Sequence, residues 1–232
     1  MSLILSLDTS SSGCSVAVHE YGNLLAASQA HVPHSQGARL ALMIEHVLEN
    51  AALKKGDLSA VAVTSGPGSY TGLRIGTSIA KGLCFSLSIP LLAVDALTVM
   101  TASALRRSNA DARFCPMLDA RRMEVYCAVQ DRQLNFVRPI DAVIVDKDSF
   151  KDLLEEGPVF FFGDGSAKCR QTIAHDNALF LDGIVPSAEE LGFLASVKFE
   201  SGKFEDLVNF EPLYLKEFLI KKSSRMDPFL NK

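Results

Sequence analysis

Between Leu3 and Ala30 the chain reads LILSLDTSSSGCSVAVHEYGNLLAASQA: short apolar runs broken by two polar turns, Ser10–Gly13 and Tyr21–Asn23. Apolar runs of this length, bounded by turn formers, predict three strands, and strands joined so closely must pair antiparallel. In HSQGARLALMIEHVLENAAL the period changes. Leu40, Ile44, Val47, Leu48 and Ala51 recur at helical spacing and predict a helix with one apolar stripe. SAVAVTS then predicts a strand, and a second helix follows from about Thr71 to Leu87, stopped by Pro90. LLAVD is a further strand and ALTVMTASALRR a further helix, so the first half reads β-β-β-α-β-α-β-α.

A weaker version of the same order follows. RFCPMLDARRMEVYCAVQDRQLNFVRP gives two or three strands with Asp119 at a turn, and SFKDLLEE a helix. PVFFFGDGS is a strand ending in a glycine turn, and SAEELGFLASVKFESG a helix begun by Pro186 and Ser187. The pattern predicts an α/β protein of two related lobes, residues 1–102 and a smaller 103–210, with 211–232 packing back on the first. The closing KEFLIKKSSRMDPFLNK is basic, with an apolar face on its first part.

Composition narrows the partners. The chain has 232 residues and a net charge of −4. That charge exerts no long-range pull on nucleic acid, so any RNA contact is expected to be weak or shared with a partner. Cys14, Cys84, Cys115, Cys127 and Cys169 are scattered, odd in number and mostly in apolar runs. They read as reduced core residues of a cytoplasmic protein rather than a disulfide framework or a zinc site. No apolar run has the length of a membrane span, and MSLILSLDTSS, without a basic leader, is expected to be a first strand rather than a signal peptide.

The densest chemistry lies in SGPGSYTGLRIG, Ser65–Gly76. It is not a Walker loop, since no Gly-Lys-Ser/Thr follows, and Thr71 stands where the dinucleotide fingerprint needs its third glycine. Gly66, Gly68 and Ser69 either ring an anion with backbone N–H groups or make a tight strand-to-helix turn. Asp8, Thr9 and Ser10, in DTSSSG, pose the same choice: a phosphate and magnesium loop, or a polar β-turn, which spacing alone favours. Gly72, Gly76 and Ala80 are four apart and keep one helix face low, for a neighbour in this chain or a partner helix. Leu42, Met43 and His46 lie beside the main stripe of the first helix. With the small face and the flanking Ile79 and Leu83, they point to a subunit interface. His31 and His34 flank Pro33, His19, His46 and His175 stand alone, and no His-x-x-x-His pair exists, so no metal site is expected. TSGPGS is not a nucleophile elbow, and no catalytic residue is assigned.

SGPGSYTGLRIG and DTSSSGCSVAV together resemble the bacterial TsaB family of the tRNA threonylcarbamoyladenosine machinery. LDARRMEVYCAV, Leu118–Val129, is similar to the family's Asp-Ala-Arg…Glu-Val-Tyr segment, and PLYLK, Pro212–Lys216, to its Pro-x-Tyr-x-Arg ending, with lysine for arginine at the last position. The resemblance covers most of the chain, and the glycine-turn motif is shared with the catalytic paralogue TsaD. It implies the actin/Hsp70/sugar-kinase (ASKHA) fold. It also implies a non-catalytic subunit that pairs with a TsaD-like catalytic subunit through a helical bundle, is joined by a TsaE-like ATPase, and pairs with itself when alone. Such a complex places threonylcarbamoyl on N6 of the adenosine next to the anticodon, and tRNA is met only through the complex. Catalysis in TsaD needs a histidine pair on the first helix. Here Ala38 stands where the second histidine after His34 would fall, so that chemistry is expected to be absent. No cofactor of its own is implied, with ATP or ADP confined to the complex interface. A nucleotide-dependent kinase or ATPase of the same fold stays open as an alternative, and a metallopeptidase as a remote one.

Overall fold

In the computed structural model, residues 2–31 and 36–216 are described; the side chains of Gln36 and Ala38, the whole of His34, and the tail from 217 lie outside that set. The expectations placed on His34, Ala38 and the basic tail therefore concern residues outside the description.

The alternation from Leu3 to Ala30 becomes β1 (Leu3–Asp8), β2 (Cys14–Glu20) and β3 (Asn23–Ala30), an antiparallel meander. After α1 (Gln36–Asn50), β4 (Ala60–Thr64) pairs parallel to β1. After α2 (Tyr70–Leu87), β5 (Leu91–Val94) pairs parallel to β4. The first sheet thus has the order β3-β2-β1-β4-β5. α3 (Ala96–Arg107), capped by Asp95, leads into the second sheet. There β6 (Arg113–Asp119), β7 (Glu124–Gln130) and β8 (Phe136–Ile144) form another meander. α4 (Lys151–Glu156) precedes β9 (Val159–Phe162), and α5 (Ser166–Cys169) precedes β10 (Ala178–Leu181). β9 is parallel to β6 and β10 to β9, so the second order, β8-β7-β6-β9-β10, is that of the first.

Successive strand residues point to opposite faces, and each sheet buries both. On the first, Leu5, Leu7, Val61 and Val63 meet Leu40, Ile44 and Val47 of α1 and Ala80 and Cys84 of α2. Ile4, Ala60, Ala62, Leu92 and Val94 face the other way, onto Leu191 and Ala195 of α6 (Ala188–Glu200). α6 corrects the expected boundary: placed with residues 103–210, it packs instead on the first sheet, because the face opposite α1 and α2 would otherwise be bare. His19 fixes its seat. The ring lies against Gly192, where any Cβ would overlap it, and Ser15 Oγ accepts a 2.8 Å hydrogen bond from the N–H of Ala188. On the second sheet, Cys115, Met117, Val125 and Phe161 pack on α4 and α5. Phe114, Leu118, Phe160 and Phe162 pack on Leu97 and Met100 of α3. All five cysteines are buried free thiols. Among the described residues, no helix is long and apolar enough to cross a membrane.

Candidate functional site

Two loops meet at the carboxyl ends of β1 and β4, where ligands bind in open α/β sheets. The sequence marks both, and the fold brings them together: Asp8, Thr9 and Ser10 on one side, Gly66, Gly68 and Ser69 on the other. They are joined to each other. Ser69 N–H donates to the Ser10 carbonyl at 2.7 Å, and the Thr9 hydroxyl donates to the Gly72 carbonyl at 2.7 Å. Gly68 passes so close to the Ser10 carbonyl that a Cβ there would collide with it. Gly66, at φ +100°, sits where a side chain would strike Leu73 and the Leu213 carbonyl. Ser69 caps α2 by accepting from Gly72 N–H, the usual service of a serine at an N-cap.

Several polar groups of the two loops are therefore engaged within the protein. Asp8 is fully buried, and its carboxylate accepts from the N–H of Ser10 at 3.3 Å and from its hydroxyl at 2.7 Å. Burial pushes its pKa up, against the opposing hydrogen bonds from Ser10. Lobe two repeats the pattern. Asp119 N–H donates to Asp164 at 2.9 Å, and Lys168 pairs with the Asp119 carboxylate. Partial burial would raise the Asp119 pKa, but the Lys168 contact and the Arg121 N–H hold it below the ordinary carboxylate value. Among the described residues, no three His, Cys, Asp or Glu side chains come together as a metal-ligand set. An open groove of about 790 Å³ remains beside the glycine turn, at the ends of β4 and β5, lined by Ser65, Asp95, Lys198, Glu205, Glu211 and Tyr214.

The expected interface needs correction. Gly72, Gly76 and Ala80 do form one face of α2, but that face is turned inward. A Cβ on Gly72 would collide with the Thr9 carbonyl and one on Gly76 with the Thr9 hydroxyl, while Ala80 is fully buried in the first-sheet core. Met43 is also core, its sulfur 3.7 Å from Cys14 Sγ. The small face exists so that the β1–β2 loop can lie on the helix. The outer flank of the two helices is different. α1 and α2 run side by side, Gly37 against Ile75. They leave Leu42 56% exposed and His46 exposed, with Ile79 and Leu83 half-buried between. Phe85, 81% exposed on the same helix, was not singled out from the sequence. Its position off the Leu73–Ala80–Cys84 stripe was the available signal.

Two sheets of one strand order, each a meander extended by two parallel strands, define a protein of the actin/Hsp70/sugar-kinase class. The Lmo2764 protein of Listeria monocytogenes, assigned as an N-acetylmannosamine kinase, shares this fold with a TM-score of 0.50 at 8% identity, over 85% of this chain and 99% of that one. YeaZ from Pseudomonas aeruginosa is nearer, with a TM-score of 0.82 at 27% identity over 93% of this chain and 100% of that one. The family model for TsaD, tRNA N6-adenosine threonylcarbamoyltransferase, matches residues 26–221. The tRNA threonylcarbamoyladenosine biosynthesis protein TsaB of Escherichia coli is 30% identical over 92% of this chain and 94% of its own length; that of Bacillus subtilis is 30% identical over 84% and 87%. The chain belongs to the TsaD family and, within it, to the TsaB proteins.

The inward small face predicts a contrast along one helix. Gly76→Ala should lose about 1–3 kcal/mol through overpacking against Thr9. Gly82→Ala, whose added methyl meets nothing within 4 Å, should gain up to about 1 kcal/mol of helix propensity. Urea denaturation of both variants checks this, and equal effects would return the small face to the surface. A second expectation concerns pH. An acid whose folded pKa is raised keeps its proton longer when folded than when unfolded, so its contribution to stability falls as pH rises through the ordinary carboxylate range. Asp8→Asn, which retains an acceptor for Ser10, should therefore gain on the wild type as pH rises above the ordinary carboxylate range in the same denaturation assay. A constant difference over that rise would show that Asp8 does not titrate differently in the fold.

Proposed function

We propose that this chain is a non-catalytic partner subunit in the formation of N6-threonylcarbamoyladenosine on tRNA. It pairs with a TsaD-like catalytic subunit and, when alone, with a second copy of itself; a TsaE-like ATPase joins the complex. The observation that carries this reading is the contrast on α2. Its inner face is spent on the protein's own loop, while Phe85 on α2 and Leu42 on α1 stand exposed among the described residues. Apolar side chains grouped on two adjacent helices suit a helical-bundle contact, and such a contact reaches a standard interface of about 1,600 Å² in total. Because the subunits of one family share a fold, the same flank is suited to a two-fold contact between copies. tRNA is met through the assembly, in keeping with the net charge of −4.

The role without catalysis is supported by the closed loops. A kinase or ATPase of this fold needs backbone N–H groups and a carboxylate free to receive phosphates and magnesium. Here Ser69 N–H, the Thr9 hydroxyl and the Asp8 carboxylate are each engaged inside the protein.

Leu42→Glu and Phe85→Glu, both at exposed positions, should leave the circular dichroism spectrum unchanged. They should weaken association with the TsaD-like subunit of the same source by about 30-fold or more, the loss expected of a buried apolar anchor. Modified adenosine in a reconstituted assay should fall with it, and the subunit alone should yield none. Wild-type association by both variants would move the interface elsewhere. Calorimetry of the isolated chain with magnesium-ATP separates the alternative. The expected dissociation constant lies well above about 1 μM, and tighter binding abolished by Asp8→Ala would favour a nucleotide-dependent enzyme.

A further inference from the structure

Beyond α6 the chain turns back along the edge of the first sheet. Glu205 forms an isolated antiparallel bridge with Leu91, and Lys198 holds both Glu205, at 3.3 Å, and the Ala93 carbonyl, at 2.5 Å. Lys81 of α2 donates to the carbonyls of Val208 and Phe210 at 3.0 and 3.1 Å, while Leu207 and Phe210 pack on the first-sheet core. Leu213 N–H then donates to the Ser65 carbonyl at 2.7 Å, over the glycine turn. Tyr214 lies on Tyr70 with ring centroids 5.0 Å apart; the Arg74 guanidinium covers Tyr70 at 4.2 Å and stands 6.0 Å from the Tyr214 ring centroid.

Two residues later the strap reaches the other lobe. The Lys216 ammonium pairs with the Glu124 carboxylate and stands 5.7 Å from the Tyr126 ring centroid; both residues belong to β7. Among the described residues two ion pairs link the units: Arg106 of α3 with Glu190 of α6, at 3.0 Å, and this one, which reaches a strand of the second sheet. The two ends of the strap differ in kind. From Glu205 to Tyr214 the Lys198–Glu205 ion pair and the Lys81 hydrogen bonds are joined by backbone hydrogen bonds and apolar packing, which salt scarcely touches and which keep it seated. Its tip is a partly exposed ion pair with a cation–π contact, screened by salt and weak in isolation.

We propose that Lys216 is an electrostatic latch that sets the angle between the two lobes: closed when paired with Glu124 and released when the pair is screened or reversed, the strap staying seated on the glycine turn throughout. The inference stands apart from the partner assignment, since the latch lies within one chain. Its anchor, however, is the start of α2, so the helix that carries Phe85 also carries the strap.

The test is a distance between lobes in the full chain. Nitroxide labels at Gly56→Cys and Lys147→Cys occupy open positions on the first and second lobes, and the five native thiols are buried. Pulsed electron paramagnetic resonance should give one narrow distance distribution at low salt. It should broaden and shift at about 1 M salt and in Lys216→Glu at low salt. Lys216→Arg should keep the narrow distribution, and Lys216→Glu combined with Glu124→Lys should restore it. A thermal melt of each variant checks that it is folded. A Lys216→Glu distribution identical to wild type would overturn the latch, as would a charge-reversed pair that fails to restore it.

Discussion

The contact between Thr9 and the first turns of α2 is the constraint on which the functional part of this molecule depends. For the Thr9 hydroxyl to reach the Gly72 carbonyl, the helix must carry no side chain at either 72 or 76, and it carries none. That single approach has two results. It pulls the β1–β2 loop onto the glycine turn, so the polar atoms of both loops satisfy each other. It also fixes the rotation of α2, which decides that Ala80 and Cys84 face the sheet while Phe85 faces outward. The joined loops and the outward Phe85 are two sides of one packing decision.

The same economy appears in the second lobe with different chemistry. There the loop equivalent to the first hairpin is held by Lys168 on Asp119 and by Asp164 on the Asp119 N–H, charge replacing the threonine–glycine contact. Both lobes keep the strand order of the class, and both spend their loop-facing groups internally.

Much of the first sheet was legible in the sequence because its strands are short, apolar and separated by strong turn formers. β10 was not singled out: ALFL is four residues long and shows no alternation to distinguish it from loop. α6 was recognised as a helix from its Ser187 cap but assigned to the wrong lobe, since a periodic pattern says which face is apolar and not which sheet it meets. Gly72, Gly76 and Ala80 show the same limit within the site. Their spacing established a low face; only the fold showed that Thr9 fills it. Met43 was misassigned for a subtler reason. It neighbours Leu42 in sequence, and one helical step of about 100° separates solvent from core.

The return of α6 has a consequence for synthesis. The face of the first sheet made by Ile4, Ala60, Ala62, Leu92 and Val94 is finished by Leu191 and Ala195, which are translated long after it. Until α6 has been made, the nascent first lobe leaves that face of its sheet without its cover. The second lobe, although made later, has its own sheet and its α3, α4 and α5 contacts complete before α6 exists, and so the half translated second is the half that can be finished first.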